Sequence, residues 1–181
     1  TYLEYESLER SRVMEKWRSN RIGEINEMIA TLLPNISKSS AGQLDLIVTG
    51  STGKPTALVE VKNKFNTMNA SAMARLRTEM DRLVLNRGGT YLGCEAILAE
   101  RIPRTDGSEQ PFAPSNNATG EKFQAHPQIK RMGLNQLLSR YDHLVYLKSM
   151  IFIARVMSEQ NALPSDYNMQ GIFQLLKESL S

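Results

Sequence analysis

With 181 residues, 41% of them apolar and 23% charged, the chain has the make-up of one folded domain with a real core, which excludes a disordered segment. Its 22 basic residues against 19 acidic leave a net charge of only +3, so any surface for a polyanion has to be local. The single cysteine, Cys94, excludes an internal disulfide and a Cys-rich zinc site, and is expected to be a small buried hydrophobe.

In chain order, residues 3–18 alternate Glu and Arg around Leu8, Val13, Met14 and Trp17, which predicts an exposed amphipathic helix. Ser19-Asn20 reads as a break, followed by a second helix from about Ile22 to Leu33. Its apolar stripe is Ile22, Ile25, Ile29, Leu32 and Leu33. At about 100° per residue Glu24 flanks that stripe, whereas Glu27 points away from it and is expected to be solvated. Pro34-Asn35 ends the helix.

Two short apolar runs follow, Leu44 to Val48 and Ala57 to Val61. The Gly/Ser/Thr/Pro segment between them marks a β-hairpin. Asn63 to Met68 reads as a polar loop. Asn69 or Ser71 caps a helix running to about Arg87, with Met73, Leu76, Met80, Leu83 and Val84 as its buried stripe and Gly88-Gly89 at its C-cap. Thr90 to Ala99 reads as a further strand. Residues 101–120, rich in Pro, Gly, Ser and Asn, read as a long loop, the kind that is either functional or a mobile insertion.

Past the loop, Lys122, His126, Lys130, Arg131 and Arg140 accompany Leu134, Leu137 and Leu138 at helical spacing. This is a candidate phosphate-contacting surface, with an ordinary basic-faced helix as the plain alternative. Two helices are expected to close the chain, one from about Asp142 to Glu159 and one from Ser165-Asp166. The apolar run Leu144 to Met157 is too short for a bilayer and is interrupted by Lys148 and Arg155, so no membrane span is expected. Nothing at the N-terminus reads as a signal peptide, and the cytoplasm is the expected compartment.

The charges inside the hairpin carry the chemistry. Asp45 stands in the first strand, and Glu60 and Lys62 share one face of the second, because side chains alternate along a strand. If the hairpin closes symmetrically about residues 52 and 53, Asp45 lies opposite Glu60. Taken singly, Asp45 reads as an edge-strand Asp paired with a nearby Lys or Arg, and Glu60 and Lys62 read as the outward face of an amphipathic strand. Together they set two carboxylates and an ammonium at the mouth of a small sheet. A divalent cation relieves the repulsion between the carboxylates, and an all-oxygen set of this kind suits Mg²⁺ or Mn²⁺. A lysine beside it can orient a water, so the group points to metal-assisted phosphodiester hydrolysis.

Asp45 followed by Glu60-Val61-Lys62 resembles the signature of the PD-(D/E)xK nucleases, with Leu44 in the place of the Pro. Arg21-Ile22-Gly23-Glu24, Leu44-Asp45-Leu46-Ile47-Val48 and Glu60-Val61-Lys62-Asn63-Lys64-Phe65-Asn66-Thr67 are similar to segments of type II restriction endonucleases that cut GGNCC-type sites. The resemblance implies an α/β fold of the restriction-endonuclease-like kind, αβββαβ, with a helical C-terminal half. It implies one nuclease domain over 1–181, its catalytic core at about 20–100 and its helical part at about 121–181. The implied metal ligands are Asp45, Glu60 and the Val61 carbonyl, with Lys62 positioning the water and Glu24 as an extra carboxylate. Asn63, Lys64, Asn66, Thr67, Lys122, Lys130 and Arg131 are the expected DNA contacts. The expected partners are double-stranded DNA and a second copy of the chain, in a bacterial cytoplasm, with 5′-phosphate ends as products. A structure- or damage-specific repair nuclease and a catalytically silent DNA-binding module are the alternative readings.

Overall fold

The computed structural model describes residues 2–39, 44–116, 119–141 and 148. The helix expected from about Asp142 to Glu159 lies outside them but for Lys148, and the one expected from Ser165-Asp166 lies wholly outside them.

The elements are α1 (Tyr2–Ala30), β1 (Ile36–Lys38), β2 (Leu46–Thr49), β3 (Pro55–Lys64), α2 (Ala70–Val84), β4 (Glu95–Ile102), β5 (Gln110–Pro111) and β6 (Ile129–Gly133). A further helix, α3, follows directly and is described over residues 134–141. The strands form one mixed sheet in the order β1-β2-β3-β4-β6-β5. β1, β2 and β3 pair antiparallel, β3 with β4 and β4 with β6 pair parallel, and β5 pairs antiparallel with β6. The run from α1 to β4 is the αβββαβ order of a restriction-endonuclease-like core, so the expected α/β class holds. No described helix is long and apolar enough to cross a membrane.

The hairpin of β2 and β3 grows from its turn. Gly53 adopts φ 74°, a left-handed conformation that glycine takes without strain, and its N–H donates to the Gly50 carbonyl at 2.9 Å. Pro55 opens β3, the strand position where a missing N–H costs least. β3 lies in mid-sheet, and its alternation decides what each face receives. Ala57, Val59 and Val61 join a core layer with Ile25, Ile29 and Ala30 of α1, with Leu33 just after it, and with Leu134, Leu137 and Leu138 of α3. Leu58 joins the opposite layer, with Met80, Leu83 and Val84 of α2, Leu98 of β4 and Phe112. Glu60 and Lys62 follow Leu58 at steps of two, on the α2 side of the sheet.

α2 begins as its sequence predicts, with the Asn69 side chain accepting a hydrogen bond from the Ala72 N–H at 2.8 Å. It ends at Val84, short of Arg87. Its expected stripe is only partly the buried one. Met73 and Leu76 are half-buried at the edge of the core, while Ala74 and Arg77 are buried with Met80, Leu83 and Val84. Arg77 is satisfied internally. It donates to Asp81 at 3.0 Å and to the carbonyls of Phe112 and Gln124, each at 3.0 Å, and it lies over the Phe123 ring. It thereby ties the segment after β5 onto α2.

Several expectations need correction. α1 runs unbroken through Ser19-Asn20, since neither residue removes a backbone donor or blocks the turn as proline would. Thr90 to Gly93 is turn, and the strand there starts at Glu95. Residues 101–120 are not one open loop. β4 extends to Ile102, β5 pairs with β6, Phe112 is buried, and Gly107 packs against Gly133, whose N–H donates to its carbonyl at 2.7 Å. Lys130 and Arg131 lie in strand β6, and the helix read around Leu134, Leu137 and Leu138 begins only after it.

Candidate active site

The ladder between β2 and β3 pairs Leu46 with Val59, Ile47 with Leu58 and Val48 with Ala57. One further step sets Asp45 against Glu60. β2 pairing stops at Leu46, and there the Asp45 side chain takes over: its carboxylate accepts the Val61 N–H at 2.7 Å. The strand end therefore fixes one carboxylate beside the next. Lys62, two residues on from Glu60 and on its face, is hydrogen-bonded to the Glu60 carboxylate.

Burial raises the Glu60 carboxyl above its ordinary value. The Lys62 hydrogen bond opposes that shift, and the nearby charges of Asp45 and Glu27 add to it. Lys62 offsets those neighbouring charges, so it is burial that leaves the Glu60 carboxyl raised.

Asp45 and Glu60 open onto a cavity of about 570 Å³, lined also by Glu27, Lys38, Leu44, Arg75 and Glu79. Its walls come from both layers, Glu27 from α1 and Arg75, Leu76 and Glu79 from α2. Glu27, read in sequence as solvated, is half-buried there and pairs with Lys38 of β1 at 3.0 Å. Glu24 instead points outward, in an exposed pair with Arg21 at 2.8 Å. The reason lies in how α1 is turned on the sheet. Asn26 and Ala30 are buried beside Ile25 and Ile29, which rotates the inner face away from Ile22 and brings Glu27 to the cavity. The 3.6-residue period alone does not show this, since Asn26 is polar.

Of the residues expected beyond the metal, Asn63 and Lys64 are the last two of β3, which runs into the stretch read as a polar loop, and Asn66 and Thr67 follow its end. Asn63 is half-buried; Lys64, Asn66 and Thr67 are exposed, and the Thr67 hydroxyl donates to the Lys64 carbonyl at 2.8 Å. Lys122 is exposed in a bridge with Ser115. Arg131 lies on the α2 side, where one nitrogen donates to both oxygens of buried Glu100 at 2.7 and 2.8 Å. Lys130 faces the other side. It pairs with Glu95 and, at 3.0 Å, with Glu109, and these bonds hold its ammonium above its ordinary pKa. Both of these basic residues therefore have carboxylate partners within the fold. His126 accepts a local hydrogen bond from the Gln128 N–H at 3.2 Å, and His143 lies outside the described residues. Among the described residues no three His, Cys, Asp or Glu side chains stand together as a ready metal cage.

A family model described as Eco47II restriction endonuclease matches residues 2–144, a span that takes in every described element and includes Asp45, Glu60 and Lys62. No curated protein and no solved structure matches the chain. The match covers well over half of the sequence, and the αβββαβ core with its paired carboxylates accords with it. The chain belongs to the Eco47II restriction endonuclease family, whose members are nucleases acting on double-stranded DNA.

Proposed function

We propose that this chain is a Mg²⁺-dependent type II restriction enzyme that hydrolyses one phosphodiester in each DNA strand and leaves 5′-phosphates. The observation that carries the reading is the Asp45 carboxylate held by the Val61 N–H across the ladder from Glu60, with Lys62 on Glu60, at the wall of an open cavity.

The residues present fit the ion. Two carboxylates and the Val61 carbonyl would hold it, the remaining positions falling to water and substrate phosphate, as suits a cation that keeps much of its hydration. The raised Glu60 carboxyl fits as well, because a divalent cation would offset the cost of holding that carboxylate charged in a buried position. Mn²⁺ meets the same donors. When bound, the ion supplies positive charge against the negative charge that builds up on the phosphate during displacement.

The chain's own groups do the rest. Lys62 donates N–H bonds to the attacking water and to a non-bridging phosphate oxygen, orienting one for in-line attack on the other. On α1, Glu27 replaces Glu24 as the candidate for the extra acidic group, since Glu27 lines the cavity. Asn63, Lys64, Asn66, Thr67 and Lys122 contact DNA beside the site. Lys130 and Arg131 would have to exchange carboxylate partners to do so. Cutting both strands of a palindrome requires two such sites, hence a two-fold homodimer. The expected setting is the bacterial cytoplasm, with a GGNCC-type sequence as the first site to try.

Incubation with plasmids of known sequence and Mg²⁺ tests the reading. Discrete fragments whose ends map to one sequence and carry 5′-phosphates are the expected result. Nicking at irregular positions, or a gel shift with an intact plasmid, would overturn it in favour of a repair nuclease or a silent binding module.

A further inference from the structure

Around the cavity the charges are not matched one for one. Lys38 is paired with Glu27, and Lys62 is bonded to Glu60. On α2, Glu79 stands one turn after Arg75 and three residues before Arg82, within reach of either. It pairs with Arg82, at 2.6 and 2.8 Å. The remaining arginine of this helix, Arg77, is buried and held by Asp81. Arg75 is exposed, lines the cavity with Asp45 and Glu60, and has no ion pair or hydrogen bond among the described residues.

That arrangement has a chemical consequence. A wall carrying Glu27, Asp45, Glu60 and Glu79 repels a nucleic-acid backbone unless a fixed cation stands at its mouth. A guanidinium is suited to that task, because its planar fork binds phosphate oxygens in pairs and stays charged at every working pH. We propose that Arg75 binds a DNA backbone phosphate at the mouth of the cavity, beside the phosphodiester to be cut. The inference rests on the nuclease reading of Asp45 and Glu60, and it gives the Glu79–Arg82 pair a purpose: with Glu79 engaged, Arg75 stays available to substrate.

Binding of a labelled duplex containing the mapped cut site is the test, using the full chain carrying Glu60→Gln so that no cutting intervenes. Adding Arg75→Ala should weaken binding by about tenfold, and should lower the slope of log affinity against log salt by about one. Arg75→Lys should restore most of the slope. Arg87→Ala, which removes an exposed arginine beyond the end of α2 and away from the cavity, should leave both quantities unchanged. Arg82→Ala should weaken binding too, by freeing Glu79 to capture Arg75. An unaltered slope in Arg75→Ala, or equal losses from Arg75→Ala and Arg87→Ala, would overturn the proposal. The nuclease reading fails separately, if Glu60→Gln still cuts, because the Arg75 readout is taken on binding alone.

Discussion

The Asp45 carboxylate accepts a hydrogen bond from the backbone N–H of Val61, the residue between Glu60 and Lys62. Side chain and main chain thus meet where the β2 ladder ends, and the bond does two things at once. It satisfies a donor at the end of the β2–β3 ladder, and it holds one carboxylate of the pair in a set position relative to the other. Asp45→Asn keeps an acceptor and loses the charge; Asp45→Ala loses both. In urea denaturation Asp45→Ala should be less stable than Asp45→Asn by about 1–2 kcal/mol, while both should fail to cut DNA. Equal stabilities would show that the bond contributes nothing to the fold.

Glu60 is held against its ordinary ionisation, first by burial, and its folded-state pKa lies above the unfolded one. A carboxyl shifted in this direction favours folding below its unfolded pKa, and that contribution is lost as pH rises through the folded pKa. At neutral pH the ionised Glu60 therefore costs stability when no cation is bound. Glu60→Gln should melt higher than the parent at pH 7 in the presence of a chelator, with the gap closing as the pH falls into the carboxylate range. Its cutting rate should fall by roughly a thousandfold or more. A melting temperature lower than the parent's at neutral pH would show that burial of the Glu60 charge carries no such cost.

On α1 the two glutamates should part company. Glu27 lines the cavity and adds to the negative field on Glu60, whereas Glu24 is tied to Arg21 at the surface. Glu27→Gln should lower the cutting rate by about tenfold or more and change the Mg²⁺ concentration at which cutting is half-maximal. Glu24→Gln should alter neither. Cleavage rates measured across a Mg²⁺ series decide between them, and the reverse ranking would return the role to Glu24.

Arg77 makes its contribution through the fold. It is buried, and removing it leaves Asp81 and the carbonyls of Phe112 and Gln124 short of a donor. Arg77→Met should cost about 3 kcal/mol in urea denaturation. Amide exchange should speed up first around residues 112–124, which the guanidinium fastens to α2. A stability loss below about 0.5 kcal/mol, the scale of an ordinary surface substitution, would show that those carbonyls find other donors.

The sequence by itself determined the hairpin and the grouping of Asp45, Glu60 and Lys62. Both depend on local rules: a glycine-bearing turn sets the register, and a period of two sends alternate side chains to one face. The Asn69 cap was legible for the same reason, since its bond reaches only to Ala72. Only the tertiary structure decided which α1 glutamate meets the cavity, because the rotation of a helix about its axis is set by what it packs on. Here a polar residue, Asn26, is part of the buried face. The same holds for β6, whose Lys130 and Arg131 read as a basic surface until Glu95, Glu109 and Glu100 arrive from distant positions to neutralise them. The availability of Arg75 belongs there too: Glu79 has arginines within reach on both sides, and the folded helix pairs it with Arg82.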